Sequence, residues 1–421
     1  MQIYGTKNHQ ENYHIEHNRN MLPNKMKPSQ QLLITWIAAF LLAACSHDAA
    51  KLQKTIISSL DVAVQQYKMM ADSLENKPGL LPRSWQSNGK LITCKPDWWV
   101  SGFFPGSLWY LYEYSGDDEL KKMAEEFTKR VEDQQHNTST HDVGFMIYCS
   151  FGNGYRITQN EHYKNVILTA SKSLSTRFHP VAGCIRSWDW GEWQYPVIID
   201  NMMNLELLFF ASQNGYENML DIAISHANTT LENHFRPDGS CFHLLSYDTI
   251  TGEVLRRQTR QGYSDESSWA RGQAWALHGY TMSYRETGDP AYLDQAEKIA
   301  DFIIDHPRLP EDKVPYWDFD DPEIPDTYRD ASAAAIICSA LIELSQFSEK
   351  TQGDKYLKVA ETLIQSLSSP EYRAEPGTNG NFLLKHCVGS KPENSEVDVP
   401  LTYADYYCLE AMMRYKRLMG F

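Results

Sequence analysis

GFFPGSLWYLYEYSGDDELKKMAEEFTKR, residues 102–130, contains one complete unit of the pattern that decides the fold. A glycine- and aromatic-rich cluster opens an apolar run, the turn Gly116-Asp117 closes it, and a charged run with helical spacing follows. The apolar run is typical of a helix buried on all sides, whereas the charged run is typical of a helix with one solvated face. The stretch therefore predicts a buried helix paired with a surface helix.

The same unit recurs along the chain. Six clusters run into apolar segments: 102–106, 141–145, 199–201, 268–272, 329–332 and 403–406. Five of these segments are followed by a turn and a more polar helix, and the turns are Gly116-Asp117, Gln159-Asn160, Asn214-Gly215, Gly288-Asp289 and Gly353-Asp354. An amphipathic stretch from Leu52 to Leu74 precedes the first apolar segment. The repeat predicts an all-α fold, an (α/α)6 barrel with six inner and six outer helices.

Residues 1–45 read as a lipoprotein signal segment. Lys25 and Lys27 precede an apolar run, 32–44, that is too short to span a bilayer. The run ends in Leu-Ala-Ala-Cys, which resembles a bacterial lipobox, so Cys45 is the expected site of lipidation. Membrane contact is expected only through this anchor.

The remainder, residues 46–421, is expected to form a single catalytic domain. Met26 is an alternative true start, because the stretch before it would make an unusually long polar leader. Ser46 after the cysteine resembles the sorting pattern of Gram-negative lipoproteins, which predicts a periplasmic or outer-membrane-anchored protein. A cleaved, soluble periplasmic form is the alternative.

Composition and cysteine usage exclude several classes of partner and cofactor. A net charge of −15 with no basic stripe disfavours nucleic acid. Without Cys45, seven of the eight cysteines remain, and an odd number without Cys-x-x-Cys spacing argues against a disulfide framework or a zinc site. The acidic run 317–321 lacks the spacing of a calcium loop. We therefore expect neither a metal nor an organic cofactor.

Two aspartates are the leading catalytic candidates. Inner helices of an α/α barrel run in the same direction, so the six clusters meet at one mouth where helix N-termini favour anions. Asp142, next to His141, and Asp200, next to Asn201, each begin an apolar helix. Two carboxylates that face one cavity can hold different pKa values, and such pairs serve glycosidic-bond chemistry. Simple helix capping is the alternative for each residue.

Aromatic and cationic residues complete the candidate site. Trp269, Arg271 and Trp275 lie near one helix start, where they could supply an aromatic wall and a guanidinium for a carboxylate. Trp99 offers a stacking platform, and His243 lies among aromatic residues. Core packing is the alternative role for the tryptophans. The basic segment 385–391 is a candidate contact for a sulfate or for the next sugar.

These motifs, taken in order, resemble glycoside hydrolase family 88, the unsaturated glucuronyl hydrolases. The resemblance extends from about Trp99 to Arg414 and rests on these segments: WVSGFFPG (99–106), HDVGF (141–145), DNMMN (200–204), SWARGQAW (268–275), DASAAA (330–335) and ADYY (404–407). It implies an (α/α)6 barrel that acts on oligosaccharides left by polysaccharide lyases, expected here to derive from glycosaminoglycans. Their non-reducing uronate carries a C4=C5 double bond, which such enzymes hydrate.

The resemblance also implies residue roles. Asp200 would be the general acid and base, and Asp142, beside His141, would hold ring hydroxyls and tune Asp200. The uronate would be lined by Trp99, His243, Gln261, Trp269, Arg271 and Trp275, with Arg271 or His243 contacting its carboxylate. Asp330 and Asp405, at the last two helix starts, keep capping or structural roles.

Two alternatives remain open at this stage. An unsaturated rhamnogalacturonyl hydrolase would use the same barrel and acid on a different leaving sugar. A non-catalytic, glycan-binding surface lipoprotein would expose aromatic residues on an open face, and it would not need Asp142 and Asp200 together at one mouth.

Overall fold

The computed structural model describes residues 28–86 and 88–421, with side chains from Ala49 onward. Lys51–Phe421 form one compact unit. The lipidation prediction at Cys45 and the alternative start at Met26 fall outside the residues whose side chains are described. Within the described ranges, no helix has the length and apolar character needed to cross a bilayer.

Helices make up the body of the protein. Within the described residues, the α-helices are α1 (Pro28–Ser73), α2 (Phe103–Ser115), α3 (Asp118–Arg130), α4 (Asn153–Thr158), α5 (Glu161–Ser175), α6 (Leu205–Gln213), α7 (Asn218–Asn233), α8 (Ala270–Thr287), α9 (Pro290–Asp305), α10 (Ala331–Leu344), α11 (Lys350–Leu367) and α12 (Thr402–Met419). A π-helix, Gly144–Gly152, leads into α4, and a 3₁₀ helix, Ile199–Asn204, leads into α6.

The even-numbered helices are the inner ring and the odd-numbered helices are the outer ring. Every residue of α10 is buried, whereas α3 buries only Leu120, Ala124, Phe127 and Thr128. This difference follows from composition, because a helix that is apolar all round must be enclosed and an amphipathic helix covers it with one face. The predicted all-α (α/α)6 barrel is confirmed.

Polar residues at the turns end one helix and begin the next. Gly116 takes a left-handed conformation with φ of 69°, and the Asp117 side chain accepts a hydrogen bond from the Glu119 N–H. Asn160 and Asp289 cap α5 and α9 in the same way. The predicted turn at Gly353-Asp354 is wrong, since α11 already begins at Lys350.

Short antiparallel strands, which the sequence pattern did not predict, lie in the connections. They are β1 (Leu81–Trp85), β2 (Leu91–Cys94), β3 (Phe178–His179), β4 (Cys184–Ile185), β5 (Pro196–Ile198), β6 (Leu244–Tyr247), β7 (Val254–Gln258), β8 (Cys387–Ser390) and β9 (Ser395–Val399). The sheets are β1-β2, β3-β4, β5-β6-β7 and β8-β9. β5 runs directly into the 3₁₀ helix of Asp200, and the β8–β9 hairpin precedes α12. The strands thus shape the mouth formed by the inner helix starts.

The cysteines of the described side chains are all buried and unpaired: Cys94, Cys149, Cys184, Cys241, Cys338, Cys387 and Cys408. Within the part of the chain that the structure describes, no group of three or more His, Cys, Asp or Glu side chains could hold a metal ion.

Candidate active site

Asp200 lies in the first turn of the 3₁₀ helix, immediately after β5. Its side chain is buried, and its Oδ2 atom has no hydrogen-bond partner among the described residues. Burial raises the pKa of Asp200 to about 7, with Arg271 opposing and Asp142 adding to the rise. A carboxyl group of this kind is partly protonated at neutral pH, as a general acid requires.

Asp142 precedes the π-helix and is held from two sides. The Thr140 hydroxyl donates a hydrogen bond to its Oδ2 atom at 2.8 Å, and the Nε2 atom of His141 lies 3.1 Å from its Oδ1 atom. The two aspartates therefore come from neighbouring inner helices, as the sequence predicts, and Asp142 raises the pKa of Asp200.

His141 has a defined proton arrangement. Its Nδ1 atom lies 2.9 Å from the Ser187 carbonyl, which can only accept, so Nδ1 carries a proton. The Nε2 atom faces a carboxylate oxygen of Asp142, and two acceptors at that separation repel each other unless a proton lies between them. Burial lowers the pKa of His141, while Asp142 raises it. His141 thus places a buried ring nitrogen beside Asp142.

His243 presents the opposite tautomer toward Asp200. The Arg260 backbone N–H donates to its Nδ1 atom at 3.0 Å, so in the neutral ring the proton is on Nε2. Burial, followed by Arg271, lowers the pKa of His243 to about 3, which keeps the ring neutral. Nε2 lies 3.9 Å from Asp200 Oδ2, and neither atom has a hydrogen-bond partner among the described residues. The His243 Nε2–H donor and the Asp200 acid thus face each other as an unpartnered pair.

Asparagine and serine residues, to which the sequence analysis assigned no role, hold this geometry. The Ser187 hydroxyl donates to Asn201 Oδ1 at 2.9 Å, and Asn201 Nδ2 donates to the Ile185 carbonyl at 2.6 Å. Asn204 Oδ1 accepts the Phe145 N–H at 2.8 Å, which joins the two aspartate-bearing segments. The sequence motif of residues 200–204 could have predicted these contacts. It places two asparagine side chains at the start of an apolar helix, and buried amides need hydrogen-bond partners.

The three predicted tryptophans differ in their surroundings. Trp99 is half-buried, with its ring centroid 4.9 Å from that of Tyr403. Trp269 is buried beside His243, at 4.7 Å between ring centroids. Trp275 is fully buried between Phe145 and Tyr407, so it packs the barrel. Its indole N–H still lowers the pKa of Asp200, although it does not reach ordinary hydrogen-bond geometry.

Arg271 has an internal partner that the sequence did not predict. Its Nη1 atom lies 3.5 Å from Asp330 Oδ2, while its Nε atom has no hydrogen-bond partner among the described residues, and its contact with a substrate carboxylate stays a prediction. Its nitrogens also donate to the carbonyls of Val388 and Gly389. Only 1% of the side chain is exposed. Arg271 and His243 thus both stay candidates for contact with the uronate carboxylate, since each keeps an unpartnered ring or guanidinium nitrogen.

Gln261 lies beside the same hairpin. Its Nε2 atom donates to the Gly389 carbonyl at 3.2 Å, and its side chain is partly exposed. Arg271 and Gln261 thus share one carbonyl acceptor, and Gln261 stands at the rim of the predicted site.

A cluster of tryptophans at the rim was missed. The rings of Trp188 and Trp190 stack at 5.0 Å, Trp193 meets both edge-on, and the Arg260 guanidinium lies 4.6 Å above the Trp190 ring. Trp190 is 53% exposed. The close spacing of these tryptophans in the sequence could have indicated the cluster. The prediction considered only the repeated helix starts, and this loop lies outside them.

The basic segment 385–391 offers less free charge than expected. Lys391 lies 3.0 Å from Asp321 and 2.9 Å from Glu323, and His386 lies 2.6 Å from Asp398. These carboxylates neutralise the segment, so its charge supplies no strong argument for a sulfate contact.

The geometry defines a class of protein. An α/α barrel with a buried, near-neutral acid, a second carboxylate and an aromatic rim has the equipment of a glycoside hydrolase.

Comparison with known proteins agrees with this class. The family model for Glycosyl Hydrolase Family 88 matches residues 81–417, and the chain belongs to this family. It is 51% identical to an unsaturated glucuronyl hydrolase of Formosa agariphila, over 76% of this chain and 80% of the relative. It is 36% identical to an unsaturated chondroitin disaccharide hydrolase of Streptococcus agalactiae, over 75% and 81% respectively.

A solved structure described as an unsaturated glucuronyl hydrolase specific for heparin superposes with a TM-score of 0.85 at 48% identity, covering 87% of this chain and 98% of that one. The prediction of an unsaturated glucuronyl hydrolase, drawn from the ordered motifs, is confirmed. The non-catalytic glycan-binding alternative is set aside.

Proposed function

We propose that this enzyme removes the 4,5-unsaturated uronic acid from the non-reducing end of glycosaminoglycan fragments produced by lyases. The observation that carries the proposal is the buried Asp200 carboxyl group, whose Oδ2 atom faces His243 and has no hydrogen-bond partner among the described residues. Relatives named for chondroitin disaccharides and for heparin support this class of substrate.

The reaction follows from the position of one proton. Asp200 donates it to C4 of the enol ether, and positive charge develops at C5 and the ring oxygen. Water adds at C5 and returns a proton to the Asp200 carboxylate, which acts as the base. The hemiketal at C5 opens, and C1, now a hemiacetal, releases the neighbouring sugar.

Side chains around Asp200 have separate tasks in this scheme. Asp142, fixed by Thr140 and His141, accepts hydrogen bonds from ring hydroxyls. The His243 Nε2–H donates toward the uronate carboxylate or the incoming water. Trp99 provides an apolar wall. No step requires a metal or an organic cofactor.

The test is loss of the ultraviolet absorbance of the conjugated uronate on adding enzyme. Asp200→Asn should lower kcat by about 10²–10⁴, the usual contribution of a general acid. Asp405→Asn is the matched control, because Asp405 is also buried at an inner helix start with a pKa raised to about 7. Near-normal turnover by Asp200→Asn would refute the mechanism.

The substrate panel should contain unsulfated and sulfated disaccharides from chondroitin and heparin, together with an unsaturated rhamnogalacturonan disaccharide. Preference for the rhamnogalacturonan product would favour the alternative leaving sugar. Absence of activity on every unsaturated uronide would overturn the proposal.

We also propose that the mature protein is a lipoprotein anchored through Cys45 in the cell envelope of a Gram-negative bacterium, with its periplasmic or exterior orientation open. The lipobox-like Leu42–Cys45 segment supports this. Cys45→Ala should abolish incorporation of labelled palmitate and release the enzyme into the soluble fraction. Unchanged membrane association would contradict the anchor.

A further inference from the structure

Arg271 is the centre of a buried junction at the mouth. Its guanidinium carbon lies 4.5 Å from the Trp269 ring centroid and 5.3 Å from that of Tyr403. Its Nη atoms donate to two successive carbonyls of β8, at Val388 and Gly389. Contacts with two rings and hydrogen bonds to two carbonyls restrict the orientation of this planar cation. The junction thus fixes the β8–β9 hairpin to the start of α8.

Asp330 closes this junction from the start of α10. Its Oδ1 atom accepts the Ser332 N–H at 2.9 Å and the Val388 N–H at 3.2 Å, so it caps the helix and holds the hairpin. Its Oδ2 atom is buried and lacks a hydrogen-bond partner among the described residues, and it faces Arg271. One carboxylate therefore serves the backbone with one oxygen and a buried cation with the other.

The junction also borders the proposed acid. The charged or titratable groups that interact with Asp200 come from three segments: Asp142 before the π-helix, Cys241 and His243 before β6, and Arg271 in α8. Arg271 favours the ionised form of Asp200 and opposes the effect of burial. The positive charge that reaches Asp200 depends on how far Asp330 offsets it.

We propose that Asp330 is a positioning residue that acts through Arg271, fixing the guanidinium between hairpin and barrel and offsetting part of its charge at the catalytic acid. This inference rests on the proposed role of Asp200. It assigns a charge-balancing role to an aspartate that would otherwise pass as a helix cap.

The signs follow from charge balance. Asp330→Asn removes a negative charge, so the net positive field at Asp200 grows and its carboxylate is favoured. The alkaline limb of the pH profile of kcat should then move to lower pH by about half a unit, the size expected for the loss of one screened charge. Arg271→Gln removes the cation and should move the limb to higher pH. The double variant should lie near the wild type.

The experiment measures pH profiles of kcat and KM on one unsaturated disaccharide, with melting temperatures as a folding check. Asp405→Asn is the control, since Asp405 holds the same connection through the Leu383 and Leu384 N–H groups and makes no contact with Arg271. It should lower stability and leave the limb in place. Asp330→Asn should also raise KM severalfold as the hairpin loosens.

An Asp330→Asn enzyme that is less stable but keeps the wild-type limb would reduce Asp330 to a helix cap and overturn the inference. A shift to higher pH would overturn it as well. If Arg271→Gln does not fold, the comparison of Asp330→Asn with Asp405→Asn still decides. Failure of the proposed function would look different, because Asp200→Asn would then retain turnover.

Discussion

Asp200 and Asp405 are both buried acids whose pKa burial raises to about 7. Asp405 receives the N–H groups of Leu383 and Leu384 and the Tyr67 hydroxyl, so its oxygens are occupied. The Oδ2 atom of Asp200 has no hydrogen-bond partner among the described residues. A raised pKa therefore does not by itself mark a catalytic acid, and the unpartnered oxygen is what separates Asp200 from Asp405.

The pH dependence of turnover belongs to Asp200. Because the acid must be protonated, kcat should fall as pH rises through about 7, the pKa of Asp200. Asp142→Asn removes a charge that raises this pKa, so the limb of the residual activity should move to lower pH. Measuring kcat by the ultraviolet assay across a range of acidic to alkaline pH would locate the pH at which activity falls.

A limb that stays in place in Asp142→Asn would show that Asp142 does not tune the acid. Asp189→Asn is a suitable control, since this half-exposed carboxylate on a neighbouring loop pairs with Arg177 and does not act on Asp200.

The roles of single residues were predictable where the residue lies at the start of an inner helix. Asp142 and Asp200 both precede apolar runs, so their meeting at one mouth followed from the barrel. The partner of Arg271 did not follow, because Asp330 lies on a different inner helix and the hairpin carbonyls are backbone atoms without a sequence signature. The rim tryptophans were missed because irregular loops carry no period.

The π-helix Gly144–Gly152 is the element that joins the two aspartates. Gly144 packs so tightly on Asn204 that a Cβ atom would lie 2.6 Å from its Oδ1 atom. That oxygen accepts the Phe145 N–H and docks the π-helix onto the 3₁₀ helix of Asp200. The absence of a side chain at Gly144 therefore sets the spacing of the carboxylates.

Gly144→Ala should push these elements apart, with a stability cost of about 1–3 kcal/mol for overpacking and a fall in kcat/KM of about tenfold or more for misplaced groups. Urea unfolding and the ultraviolet assay would measure both. Gly152→Ala, at the other end of the same helix, meets only the Tyr148 ring at 3.1 Å and should keep its activity. Equal losses in both variants would contradict this account.

Across the whole molecule, the inner helices are tied together near the middle of their length. Glu410 accepts from the Tyr110 and Ser339 hydroxyls at 2.9 and 2.6 Å and lies 3.2 Å from His278, so four inner helices meet at one carboxylate. Arg414 pairs with Glu410 and Glu343. Burial opposes ionisation of Glu343, yet Arg414 and Arg285 lower its pKa to about 2.

Arg414→Met should cost about 3–5 kcal/mol, because it leaves buried carboxylates short of a partner. Arg417→Met, one turn later on the exposed side, removes a pair with Glu113 and should cost about 0–1 kcal/mol. Denaturant unfolding at neutral pH compares the two. Similar small losses would show that the network contributes little to stability.

The barrel as a whole was predictable because apolar and amphipathic runs alternate and polar turn residues separate them. The strands were not, since segments such as Phe178–His179 and Pro196–Ile198 are too short to show alternation. The turn predicted at Gly353 was wrong for a different reason. Glycine usually marks a helix end, but here it lies inside α11 and allows that helix to approach the Ser345 carbonyl, which a Cβ atom would meet at 2.4 Å.

The buried, unpaired cysteines acquire another meaning if the enzyme resides beyond the inner membrane. An oxidising compartment cross-links exposed thiols, and the thiolate is the reactive form. Burial raises the pKa of Cys94, Cys184 and Cys241 to about 12, so the folded barrel resists oxidation. Each unfolding event would expose thiols to irreversible mispairing. The working lifetime of the enzyme would then be set by how slowly it unfolds, and selection would act on the unfolding barrier.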